Sequence, residues 1–419
     1  MRDTDVTTWQ SEPAVRAAQT RTVSLLAAAQ IVGGVGVGAS VSIGSLLAES
    51  IARSEAYAGL ARTASVLGAA AIGVPLALLA QRRGRRASLS VGWLVAATGS
   101  ALLVLAAVVR SIPLLVVGML LFGVGSATNL QSRYAAADLA LPHRRARALS
   151  VVVWSTTVGA VIGPNLGTPG TAVASALGIP PLAGAFVLST GFVLLAALLL
   201  AGWLRPDPLL LAQQHQIGAE PVWASRTAAF DRLRRSPRAG FAFVTVVLGH
   251  TVMSAVMTMT PVSLADEGMG LTVVGVTIAA HVIGMYAFSP VVGWLADRLG
   301  RLPVVLIGQG VFLAAVLAAG LGHRSMPVAM SGLFLLGLGW SFSLVAGSAM
   351  LSEATPAPLR PTMQGTADTA MNLVAAVAAG LSGPLMGRIG FGGLNAIAAL
   401  FVLPVLVLFL VRWRTLRAA

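Results

Sequence analysis

Apolar residues in this chain come in runs of about 20, the length a helix rising about 1.5 Å per residue needs to cross a hydrocarbon layer roughly 30 Å thick. Such runs fall near residues 22–47, 57–80, 87–109, 112–136, 148–171, 179–204, 240–264, 271–295, 302–322, 326–350, 361–387 and 393–411. The pattern predicts an all-α membrane protein with twelve transmembrane helices. The only long polar connection, residues 205–239, divides them six and six. The expected organisation is therefore an N-terminal tail over 1–21, a six-helix bundle over 22–204, a linker over 205–239, a second six-helix bundle over 240–411 and a C-terminal tail over 412–419. The linker opens on Arg205-Pro206-Asp207-Pro208 and closes on an Arg-rich stretch, Arg226, Arg232, Arg234, Arg235 and Arg238. Its part from Ser225 to Arg235 reads as an ordinary basic juxtamembrane loop. The alternative is an amphipathic helix with Phe230 and Leu233 against the headgroups.

Charge fixes the orientation. All 28 basic residues are Arg, and with the N-terminus in the cytoplasm 22 of them fall in inner tails and loops. Arg53, Arg110, Arg324 and Arg388 fall outside, and Arg62 and Arg133 lie within spans. The positive-inside rule then puts both tails and the linker in the cytoplasm. Asp3, Asp5 and Glu12 precede a full-length first span, so the first 21 residues read as a tail rather than a cleaved signal. The net charge of +14 follows the membrane and points to no nucleic-acid partner.

Composition narrows the chemistry. Hydrophobic residues make up 56% of the chain and charged ones 10%, against about 25% charged in a soluble domain. With no Cys there is no disulfide framework and no thiolate metal site. No nucleophile, base and orienting group occur at a recognisable spacing, so neither an enzyme nor a resident cofactor is expected. Absence of Lys beside abundant Ala, Arg and Gly suggests a GC-rich bacterial genome, hence an inner-membrane protein, expected as a monomer in the bilayer.

The two halves repeat. Gly293-Trp-Leu-Ala-Asp297-Arg298-Leu-Gly300-Arg301 after span 8 aligns with Ala77-Leu-Leu-Ala-Gln81-Arg82-Arg83-Gly84-Arg85 after span 2. Asp138-x-x-x-Pro142-x-x-Arg145 after span 4 answers Glu353-x-x-Pro356-x-x-x-Arg360 after span 10. This duplicated motif, with twelve spans and a basic central loop, resembles the major facilitator superfamily over essentially the whole chain. The resemblance implies two pseudo-symmetric six-helix bundles rocking about a central site. It assigns these loop residues to a conformational latch, in which Asp297 holds Arg298 and Arg301. In the first half Gln81 stands where the acid is expected, which should weaken that latch and leave Asp138 as the nearby carboxylate. Span 5 carries Gly159-x-x-x-Gly163-Pro164-x-x-Gly167, similar to the antiporter-type motif of drug exporters in that superfamily. Its plain reading is a helix-packing seam, with Pro bending the helix.

Near the middle of spans 7 and 8 stand Met253-x-x-x-Met257 and His281-x-x-x-Met285, at matching depth. His250, Met253 and Met257 share one helical face. An intramembrane histidine is costly without a partner, and thioether with imidazole suits a soft monovalent metal ion. The two motifs resemble those of the CcoA-like copper importers, a branch that also includes riboflavin-type importers. That resemblance makes Met253, Met257, His281 and Met285 candidate copper(I) ligands, with copper the transported substrate. His250 is a second-tier metal or proton group. Asp368 of span 11 reads either as a carrier of a coupling proton or as the ion-pair partner of Arg133 in span 4. Asn129, Gln131 and Asn165 line a cavity or bridge helices. The alternative is a proton-coupled transporter, exporter or importer, of a small organic substrate such as a drug or flavin, which Trp154 and Trp340 near span centres would suit.

Overall fold

The computed structural model describes residues 9–52, 56–215, 226–269, 271–322 and 325–418. Asp3, Asp5, Arg53, Arg324 and residues 216–225 of the linker lie outside them, as do the side chains of Arg62, Pro164, Asn165 and Arg226. The described residues form helices joined by short turns, with no strand among them. In chain order these are α1 (Pro13–Ala52), α2 (Ala56–Val109), α3 (Ile112–Ala137), α4 (Arg145–Ile162), α5 (Gly167–Leu177), α6 (Ala183–Trp203), α7 (Pro208–Gln214) and α8 (Arg226–Arg235). They continue with α9 (Pro237–Asp266), α10 (Leu271–Tyr286), α11 (Ser289–Leu299), α12 (Arg301–Gly322), α13 (Met326–Glu353), α14 (Arg360–Leu400) and α15 (Leu403–Ala418).

Among the described residues, nine helical stretches are long and apolar enough to cross a membrane. Two of them, 63–109 with 47 residues and 357–416 with 60, are at least twice the length one crossing needs. Each is broken at a glycine in the left-handed region, Gly84 with φ 84° and Gly390 with φ 71°, a backbone state that other residues adopt only under strain. Each therefore carries two of the predicted spans. A further bent pair, 142–162 with 167–177, turns by 61° and corresponds to span 5. Counted this way, the stretches account for all twelve crossings. Residues 226–235 correct the plain-loop reading of the linker's end: they form the helix α8.

The chain divides into two compact units, Met1–Ala224 with Ala357–Gly365, and Ser225–Pro356 with Thr366–Ala419. In the first, α1 packs on α4 and α6, and α2 on α3 and α6. The glycine seam of span 5 explains the α1–α4 contact. A Cβ on Gly159 would lie 2.5 Å from the carbonyl carbon of Gly34, and one on Gly163 would lie 2.5 Å from Cα of Gly38. Only hydrogen at both positions lets the two backbones touch. Gly167 is different, with just Ile43 Cδ1 at 3.8 Å. In the second unit α13 is the hub, packed against α9, α10 and α12.

Candidate substrate site

At the centre of the second unit, side chains from three helices meet. Trp340 of α13 donates its indole N–H to His250 Nδ1 of α9 at 2.8 Å. An indole nitrogen only donates, so His250 Nδ1 presents its lone pair and the neutral ring carries its proton on Nε2. Tyr286, at the end of α10, meets the Trp340 ring edge-on, centroids 5.5 Å apart. Trp340 is 2% exposed and forms the backing. His250 and Tyr286 are half-buried beside it.

His281 sits deeper. It is wholly buried, and its Nδ1 lies 2.9 Å from the Leu333 carbonyl of α13. That oxygen accepts, so the proton is on Nδ1, while Nε2 is buried with no hydrogen-bond partner. Glycines bring the helices this close. A Cβ on Gly337 would fall 2.2 Å from the His281 carbonyl oxygen and 2.8 Å from the Met285 nitrogen. One on Gly284 would fall 2.2 Å from the Phe334 oxygen. Thus α10, with His281 and Met285, lies along α13 and touches α9 only at its margin. Met253 and Met285 are buried and Met257 is half-buried, whereas Met259 faces Gly383. Among the described residues no three His, Cys, Asp or Glu side chains gather as a metal group, so a metal held here would rely on thioether sulfur.

Other intramembrane polar residues make contacts close to their own helices. Arg133 of α3 is buried, its guanidinium 4.3 Å from the Tyr134 ring centroid. Its Nη2 donates to the Tyr134 hydroxyl at 3.0 Å and its Nη1 to the Leu130 carbonyl. Asp368 is buried in α14, where Asn372 donates to its backbone oxygen at 2.8 Å. Gln131 bridges to the Gly73 carbonyl of α2 at 2.8 Å. Trp154 is exposed on α4.

The loop motifs form two polar clusters. In the first unit Arg85, fully buried, holds Asp138 through Nε at 2.8 Å and Gln364 through Nη2 at 2.6 Å. Gln81 donates to the Pro358 carbonyl at 3.0 Å and accepts from the Thr362 hydroxyl at 3.3 Å. Segment 357–365 is thus docked on the first unit by neutral amide bonds beside one buried ion pair. Gly84 allows the turn, and a Cβ there would lie 2.3 Å from the Asp207 carboxylate. Asp207 accepts from the Arg86 amide at 2.8 Å and caps α7 through Leu209 and Leu210. Arg82 is exposed and Arg145 buried. In the second unit Arg301 bridges Asp297 at 2.9 Å and Glu353 at 2.8 Å and donates to the Ala296 carbonyl at 2.7 Å. Arg298 lies over the Trp294 ring at 5.1 Å instead. Gly293 is buried in α11, Gly300 ends that helix at φ 92°, and Arg360 opens α14.

Three contributors were not singled out from sequence. Tyr286 follows the His-x-x-x-Met motif directly, yet nothing in the spacing gives its ring a partner. Gln364 carries no local signal. Asp207 before Pro208 is a legible helix-cap signature, although its hold on the loop at Arg86 is not.

A family model described as Major Facilitator Superfamily matches residues 25–273 and 242–418. The chain is 38% identical over 392 residues to the uncharacterized MFS-type transporter YdeG of Bacillus subtilis, covering 92% of this chain and 91% of that protein. It is 27% identical over 405 residues to the riboflavin transporter RfnT of Brucella anthropi, covering 95% and 97% respectively. Among solved structures, the human organic anion transporter MFSD10 superposes with a TM-score of 0.77 at 16% identity, covering 93% of this chain and 99% of that one. A bacterial homologue of the iron transporter ferroportin superposes at 0.70 and 14% identity, covering 93% and 98%.

Proposed function

From the premise that this chain belongs to the Major Facilitator Superfamily and is a multi-pass membrane transporter with that all-helical fold, we propose that its cargo is a small organic molecule with a flat aromatic portion, of the flavin type, moved by alternating access. The observation that carries this reading is the group of His250, Tyr286 and Trp340, drawn from three helices. A buried indole touches two half-buried groups, one an aromatic ring and the other an imidazole. Such a set offers aromatic and polar surface together, which suits a planar heterocycle. Met253 and Met257, on the His250 face of α9, add polarizable apolar surface. The similarity to a riboflavin transporter along nearly the whole chain points the same way. The Arg distribution supports placing both termini in the cytoplasm of a bacterial cell. Release on that side would then require segment 357–365 to leave Gln81 and Arg85.

Copper(I) import is the second reading, and one observation favours it. His281 Nδ1 is held by a backbone carbonyl while its Nε2 is buried without a partner, the arrangement a neutral imidazole ligand adopts. Met285 stands one turn away on the same helix.

Thermal unfolding of the purified protein separates the two. A ligand that binds the folded state at about 100 times its Kd adds about 2.7 kcal/mol. Riboflavin is expected to raise the melting temperature of the wild type and not that of Tyr286→Ala. Copper(I) alone raising it, with loss in Met257→Ala/His281→Ala, would replace the organic reading by the metal one.

A further inference from the structure

Helix α8 presents a face that no other part of its unit covers. It rests on α9, with Ala229 buried and Leu233 half-buried. Arg232 ties it to the end of α13, donating from Nε at 3.0 Å and from Nη2 at 2.7 Å to the Ala354 carbonyl. The opposite face carries Thr227, Phe230, Asp231, Arg234 and Arg235, all exposed. Phe230 is 52% exposed. Only one carboxylate stands among the four arginines of this helix, and it is engaged by Arg235 at 2.9 Å. Arg238, in the first turn of α9, adds a buried Nε–H with no hydrogen-bond partner. One residue, Ser236, separates α8 from the membrane-crossing α9.

We infer that this face of α8 is a docking surface for anionic phospholipid, with Phe230 entering the boundary of headgroup and acyl chain while Arg234 and Arg238 take the headgroup phosphates. The physical case has three parts. A phenylalanine left in water on a short basic helix loses the benefit of burial that the adjoining bilayer supplies. Guanidinium groups pair with phosphate through directed, charge-assisted bonds. An anionic leaflet attracts each nearby arginine within about one Debye length. The occupant is therefore a negatively charged membrane surface rather than a neutral one. Through Arg232 and Ala354, lipid bound on α8 bears on α13, the helix that carries Trp340. The inference concerns the linker and holds whichever cargo is transported.

The test is hydrogen–deuterium exchange of the full-length protein, read peptide by peptide, in nanodiscs of phosphatidylcholine alone and of phosphatidylcholine mixed equally with phosphatidylglycerol. Amides of residues 227–236 are expected to exchange several-fold more slowly in the anionic discs. The variant Phe230→Ser/Arg234→Gln is expected to lose that slowing while α9 to α13 exchange as in the wild type. Equal exchange of the wild-type segment in both lipids, whether fast or slow, would overturn the proposal. So would full slowing in the variant.

Discussion

His250 and Trp340 show what a single intramembrane contact decides. The indole N–H selects one tautomer of the imidazole, with the remaining proton on Nε2. Trp340→Phe keeps the ring edge for Tyr286 but removes that N–H. A neutral hydrogen bond is worth about 0.5–1.5 kcal/mol net, so KM for transport is expected to rise roughly 2- to 10-fold with membrane levels unchanged. An unchanged KM would mean that the His250 tautomer does not matter to cargo. Both intramembrane histidines were legible in the sequence, because an imidazole in lipid demands a partner. Their partners were not. Trp340 is 90 residues from His250, and the acceptor for His281 is a backbone carbonyl, which no side-chain pattern advertises.

Helix contacts follow a rule that sequence gives in part. The small-residue spacing of span 5 announced a close approach but not its partner, which the structure identifies as Gly34 and Gly38 of α1. Gly159→Val is expected to force α1 and α4 apart and to lower the melting temperature sharply, since overpacking a tight contact costs about 1–3 kcal/mol or more. Gly167→Val, facing only Ile43, should unfold close to wild type. Comparable melting of the two would contradict the seam.

In the first-half latch Asp138 is the carboxylate that pairs with Arg85, as the sequence suggested where Gln81 replaces the acid. Gln81 makes two bonds to segment 357–365 as a neutral amide. Gln81→Glu would set a carboxylate against the Pro358 carbonyl, and hydrogen exchange across residues 358–366 is expected to accelerate. Asp138→Asn would leave the buried Arg85 without its counter-charge, at about 3–5 kcal/mol. Its expected sign is a steep loss of folded protein, read as melting temperature or yield in detergent.

Taken together, the two units illustrate which properties a hydropathy pattern carries and which it does not. The twelve crossings were visible because bilayer thickness imposes a length on every apolar run. The glycine kinks at Gly84 and Gly390 were not, since a break in apolarity says nothing about how the backbone turns there. The helix at 226–235 was hidden for a related reason: a basic segment next to a membrane has the same composition whether coiled or helical. Cargo identity was the least legible property. Met and His at mid-span fit a soft ion, and the same residues flank an aromatic group that fits a heterocycle. The contacts of Tyr286 and Trp340 and the similarity to a riboflavin transporter weight the choice toward the second.

Uptake into proteoliposomes addresses that choice most directly, with radiolabelled riboflavin and copper(I) offered in parallel to the wild type, Tyr286→Ala and Met257→Ala/His281→Ala. The organic reading predicts riboflavin accumulation above protein-free liposomes, lost in Tyr286→Ala, with copper no higher than in protein-free controls. Copper accumulation that disappears in Met257→Ala/His281→Ala, without riboflavin uptake by the wild type, would contradict it.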